Sequence, residues 1–139
     1  MQIVKAMLEV EKVLEKYPIE YRKNYYINKD SVTVIEKQME LAGGTYDNEE
    51  NIIEYSNTDA LIHELFHMSF RDKDKVNKKV FEDEEIYYSN GVSFKVNKEM
   101  TKKGHGITEG FCEYLCQKIK NKKSTFNYYF VDLLISIYI

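Results

Sequence analysis

The sequence predicts one α+β domain spanning residues 1–139, a small twisted mixed sheet packed against two helices that carry chemistry. Three observations lead there. Apolar residues recur at helical spacing near the N-terminus, residues 31–56 are rich in strand formers, and two later helical stretches carry HELFH and ITEGFCEYL. A chain of 139 residues buries one sizeable core but is too short for two ordinary domains.

Ile3, Met7, Val10 and Leu14 follow one another at intervals of four, three and four, which predicts an amphipathic helix ended by Pro18. Within 31–56, SVTVI is β-branched, KQMEL alternates, LAGGTYD carries a glycine pair and NIIEYS runs into polar residues, so three or four short strands fit. Ser56 or Asn57 supplies an N-cap, Asp59 suits a first turn, and Leu61, Leu65 and Met68 make an apolar stripe. HELFHMSF therefore lies inside a helix. RDKDKVNKK reads as a charged loop and EIYYSNGVSFKV as a hairpin turning at Asn90 and Gly91. After the glycine-bearing TKKGHGI, Thr108 is the expected N-cap of TEGFCEYLCQKIK, with Phe111, Leu115 and Ile119 as its ridge. A last helix from about Phe126 uses Phe126, Phe130, Leu133 and Ile137 in the same way. No repeat, low-complexity tract or Pro/Gly/Ser-rich linker divides the chain.

With 31% charged and 43% apolar residues, the composition is that of a soluble globular protein rather than a disordered tail or membrane bundle. The 20 Lys and Arg against 23 Asp and Glu give a net charge of -3 without a dense basic block, which argues against nucleic-acid binding. Lys5, Glu9, Glu11 and Lys12 break up the N-terminal apolar residues, so no signal peptide is read there and a cytoplasmic location is expected. The two cysteines, Cys112 and Cys116, fall one turn apart on one helix, where a disulfide has poor geometry and reduced thiols are expected. FNYYFVDLLISIYI is short for a membrane span and is interrupted by Asp132; it reads as a buried amphipathic helix that covers the cleft or a second copy of the chain.

The chemistry gathers at His63 and His67. Residues i and i+4 share a helix face, so both imidazoles aim at one point, the arrangement that zinc requires. Glu64 is turned by roughly 100° about the axis, near the metal's open position without being a ligand, where it serves as general base toward a zinc-activated water. A catalytic zinc needs a third protein ligand. The metzincin spacing would put a histidine at position 73, which is Lys73, so that class is excluded. The candidates are His105, Glu109, Glu113 and the acidic run Glu82, Asp83, Glu84 and Glu85, which reads as solvated surface. Glu109 is the strongest, because it opens a helix after a glycine-bearing turn and Gly110 leaves room for close approach. Glu113, one turn on, is placed to hydrogen-bond the second ring nitrogen of a ligand histidine. Cys112 is the thiol that would compete for the metal, and it reads as a small buried hydrophobe.

HELFH followed downstream by ITEGFCEYL resembles the gluzincin metallopeptidases, which carry HExxH on one helix and a glutamate, often in an EGxxEY-like segment, on a later one. The small size resembles the minigluzincins of that clan. The resemblance covers about residues 31–120 and implies a zincin-like fold, Zn2+ held by His63, His67 and Glu109, Glu64 as general base, and Glu113 supporting a ligand histidine from behind. It also implies a histidine or tyrosine that steadies the oxyanion, for which His105, Tyr46, Tyr87 and Tyr88 are candidates. The chain ends soon after the second motif, where larger gluzincins continue into a further subdomain, so a minimal enzyme, a fragment and a self-covered form are all open. The expected function is zinc-dependent hydrolysis of a peptide or protein substrate, with a non-catalytic zincin-like binding module as the alternative and a four-ligand structural zinc site behind both. GGTYD is the expected place for substrate to add as a strand.

Overall fold

The computed structural model describes residues 2–17, 19–41, 43–74, 86–88, 94–96 and 105–120. Two helices, α1 (Gln2–Leu14) and α2 (Ile19–Lys29), precede strands β1 (Thr33–Glu36), β2 (Gly44–Asp47) and β3 (Ile52–Tyr55). The helix α3 (Thr58–Ser69) follows, then a hairpin of β4 (Ile86–Tyr88) and β5 (Phe94–Val96), and α4 (His105–Lys120). This is a small mixed α+β arrangement, as the sequence predicts.

Of the expected α1 stripe, Val10 and Leu14 are buried and Ile3 and Met7 partly so, while Ala6 and Val13 are buried beside them. The second helix was not expected. IEYRKNYYINK has almost no apolar periodicity, and among the described side chains α2 enters the core through Tyr25 and the amide of Asn28. Tertiary packing, rather than pattern, selects it.

The three-stranded sheet has the order β1-β3-β2, with β1 parallel and β2 antiparallel to β3. The mixed character follows from the chain path: β2 reaches β3 through a short turn, whereas β1 pairs Val34 with Ile53 from further off. Central β3 alternates as a half-buried strand should, with Ile53 and Tyr55 inward. The KQMEL segment forms no strand and runs between β1 and β2, so the region yields three strands rather than four.

Asn57 is the N-cap of α3, its side-chain oxygen accepting from Ala60 N–H at 2.9 Å. The helix is buried almost all round, through Leu61, Ile62, Glu64, Leu65, Phe66, His67, Met68 and Ser69. Such a helix must be surrounded, and α3 is: the sheet packs on it through β2 and β3, and α1, α2 and α4 pack on its other sides. The glutamate-bearing helix α4 thus meets α3 and α1, and it is α3 that carries the sheet. Phe111 of α4 anchors this packing against Tyr17 and Phe70, with ring centroids 6.3 and 5.1 Å away. Cys112, Leu115 and Cys116 complete the buried face. α4 begins at His105, three residues before the expected cap at Thr108, which is itself buried. Packing on α3 outweighs the poor helix propensity of Gly106.

A polar tie fixes the far end of α3. Buried Asn28 donates its amide to Met68 O and Arg71 O at 2.8 Å each, and accepts from Arg71 Nη1 at 2.8 Å. Its own carbonyl accepts from Asn51 Nδ2 at 2.8 Å. Asn51 sits at φ 58, a left-handed conformation that asparagine tolerates better than most side chains. Replacing Asn28 by alanine strands the helix-terminal carbonyls and Arg71 together, with an expected loss of ~3 kcal/mol in unfolding free energy. Urea denaturation of the Asn28→Ala protein checks it; a midpoint equal to wild type would remove this tie from the stabilising interactions.

The hairpin pairs Ile86 with Val96 and Tyr88 with Phe94, as the Asn90 and Gly91 signal predicts, although the turn lies outside the described residues. So do the acidic run Glu82 to Glu85 and the C-terminal stretch from Phe126. Among the described residues no helix is long and apolar enough to cross a membrane.

Candidate metal centre

The side chains of His63 and His67 lie one turn apart on α3, their ring centroids 4.9 Å from each other. The carboxylate of Glu109, carried in by α4, sits between them. His63 Nε2 lies 2.9 Å from one carboxylate oxygen and His67 Nε2 lies 2.9 Å from the other. The group converges although Glu109 is remote in sequence from both histidines, because α3 and α4 pack side by side. All three are largely withdrawn from solvent, with side-chain exposures of 17%, 8% and 19%.

These atoms make a group that could hold a metal ion, all within 4.8 Å of one another. Two imidazoles and a carboxylate suit a borderline divalent ion. Ligand atoms around a tetrahedral zinc stand roughly 3.3 Å apart, so the contacts at 2.9 Å need open only slightly to admit one. The three donors therefore fit the ion in kind and in spacing.

The protonation of the group follows from its contacts. Burial lowers the His63 pKa, but hydrogen bonds to Cys116, Glu109 and Glu113 outweigh it and push it up from 6.5 to about 12. Burial raises the Glu109 carboxyl, and the hydrogen bonds and charges of the two histidines overcome this and hold it well below the usual carboxylate range. Without metal the pair is an imidazolium and a carboxylate. A metal has to displace the His63 proton, so its uptake releases protons and tightens as pH rises.

Glu64 is buried on α3 and makes no ligand contact in the group, as its position one residue after His63 dictates. Burial lifts its carboxyl above 4.5, opposed by the charges of His67 and His63 and aided by Glu109. It packs beneath β2. A side-chain carbon added at Gly44 would stand 3.1 Å from Glu64 Cγ, 3.2 Å from Ala60 Cβ and 3.2 Å from the Glu54 carbonyl. The glycine pair of GGTYD thus serves the approach of α3, with Gly43 pressed on Asn57 and Ala60 in the same way.

Behind His63, on its Nδ1 side, stand Glu113 Oε2 at 3.6 Å and Cys116 Sγ at 4.0 Å. The other oxygen of Glu113 accepts from Gln117 Nε2 at 2.7 Å, which fixes the carboxylate. The thiol near the site is therefore Cys116. Cys112, the expected competitor, is wholly buried, and burial drives its pKa well above the ordinary thiol value. Helical spacing could have found Cys116: it is seven residues from Glu109 and shares the face that carries Glu109 and Glu113. Of the proposed oxyanion partners, Tyr46 is committed to a hydrogen bond with Asn51 Oδ1 at 2.7 Å, and burial raises its phenol pKa. The side chains of His105, Tyr87 and Tyr88 lie outside the described residues.

Comparison with protein-family models, with curated proteins and with solved structures returned no match. The candidate metal group rests on its own geometry.

Proposed function

We propose that this chain is a zinc-dependent peptidase with a zincin-like fold, its metal held by His63, His67 and Glu109. One observation carries the reading: Glu109 arrives from a separate helix to close the His63 and His67 pair, while Glu64 stays buried beside it as a non-ligand. A structural site would need a fourth protein ligand, whereas three ligands leave a position for water and substrate. When bound, zinc supplies the Lewis acidity that brings a water toward neutral pKa and polarises a peptide carbonyl.

The protein's own groups do the rest. Glu64, buried beside the three donors without joining them, is placed to take a proton from the attacking water and pass it to the leaving amine. Glu113 holds the ring of His63 from the Nδ1 side. Among the described residues β2 stands at the edge of the sheet order β1-β3-β2, and at Gly44 it lies over Glu64. An extended peptide pairing along that edge would have its backbone beside the base. With Cys112 and Cys116 one turn apart, the enzyme suits a reducing compartment such as the cytoplasm.

The test is cleavage of a random peptide library by the zinc-loaded protein, with loss on chelation and recovery on adding zinc back. Zinc bound without cleavage of any peptide would sink the peptidase reading and leave a binding module. A second result is expected at β2. Gly44→Ala forces Glu64 and Ala60 to yield by a few tenths of an ångström, at roughly 1–3 kcal/mol of overpacking. The variant should retain its zinc and lose turnover; unchanged kcat would separate β2 from the base.

A further inference from the structure

We propose that His63, Glu113 and Cys116 form a second, thiolate-containing metal site, back to back with the first and taking a soft or borderline divalent cation such as zinc, cobalt or cadmium. The inference does not depend on the peptidase reading. It arises from the way α4 runs past one imidazole ring. Glu109, Glu113 and Cys116 occupy one face of α4 at successive turns, spread over ~10 Å. His63 projects from α3 between them. Its Nε2 faces Glu109 at 2.9 Å, and its Nδ1 faces Glu113 at 3.6 Å and Cys116 at 4.0 Å.

The spacing is that of a donor set. Nitrogen and oxygen donors around a tetrahedral zinc stand roughly 3.3 Å apart, and nitrogen and sulfur roughly 3.6 Å. The nitrogen, the oxygen and the sulfur here lie within 4.8 Å of one another. Gln117 holds the far oxygen of Glu113 at 2.7 Å, which leaves Oε2 turned toward the ring. Cys116 is 6% exposed, so a thiolate formed there has little competing water. Sulfur in the set selects zinc, cobalt or cadmium over magnesium or calcium. On binding, the Cys116 thiol and the His63 Nδ1–H each give their proton to solvent, and no electron is transferred. His63 is shared, so loading one site alters the ring that the other uses.

Cobalt titration of the full chain followed by absorbance tests this, because a thiolate ligand gives a near-ultraviolet charge-transfer band that histidine and carboxylate ligands do not. Wild type should develop the band, and Glu109→Ala, with the first site disabled, should develop it with the first equivalent. Cys116→Ser should abolish it in both backgrounds, with circular dichroism confirming the fold. Glu113→Gln should weaken the cobalt dependence of the band at least tenfold, and Cys112→Ala should leave it intact. Absence of the band at every cobalt loading, or a band that survives Cys116→Ser, overturns the second site. Either result leaves cobalt held by His63, His67 and Glu109 as a separate measurement.

Discussion

Replacing Glu64 with glutamine is expected to leave zinc in place and to lower kcat by about 10²–10⁴-fold, the usual contribution of a positioned acid or base. The substitution keeps the volume of a side chain packed under Gly44 and removes its ability to accept a proton. Because Glu64 makes no ligand contact, zinc measured by elemental analysis should be equal in the two proteins. Burial raises the Glu64 carboxyl in the metal-free protein and the charge of a bound zinc would oppose that rise, while activity should climb with pH as Glu64 ionises. A fully active Glu64→Gln protein would remove Glu64 from the chemistry, whatever its metal content.

Glu109→Ala is expected to cost the metal itself. Glu109 bridges both imidazoles, with one oxygen on each at 2.9 Å, so its loss takes away a ligand and the group that orients the other two. Removing a supporting partner outside the ligand set already lowers metal affinity by about 10–100-fold, and a ligand should cost more. In a Cys116→Ser background, which removes the thiolate of the second site, zinc content of protein purified without added metal should fall from one equivalent toward none. Thermal unfolding in the same background gives an independent reading: saturating zinc at about a hundred times its Kd stabilises the protein that keeps Glu109 by ~2.7 kcal/mol and should do little for the one without it. Equal zinc in both proteins would assign the third ligand elsewhere.

Much of this site was legible in the sequence because helical geometry is regular. The spacing of His63 and His67 fixes a shared face wherever the helix sits, and Glu109 and Glu113 follow the same rule on α4. The strands were legible where side chains alternate, as in NIIEYS, and the Asn57 cap was legible from its residue type. Whatever depended on partners was not. α2 shows no stripe, and among its described side chains Tyr25 and Asn28 carry it into the core. The glycines of GGTYD signalled close approach but not by what, and the structure shows α3 approaching them. Tyr46 could be a reactive phenol or a structural one until Asn51 appears beside it. The choice between Cys112 and Cys116 turned on which side of α4 meets His63, a matter of helix rotation that periodicity leaves open.

The burial of α3 on all sides has a consequence for how the site moves. The helix that presents both histidines and Glu64 is also the one on which the sheet, α1, α2 and α4 all pack. Its amides are expected to be among the slowest to exchange with solvent, which hydrogen-exchange measurements would check. The two imidazoles are thus held in place by the core itself, and a lost packing contact far from them, under Leu65 or Phe66, is expected to loosen the same rod that aims them.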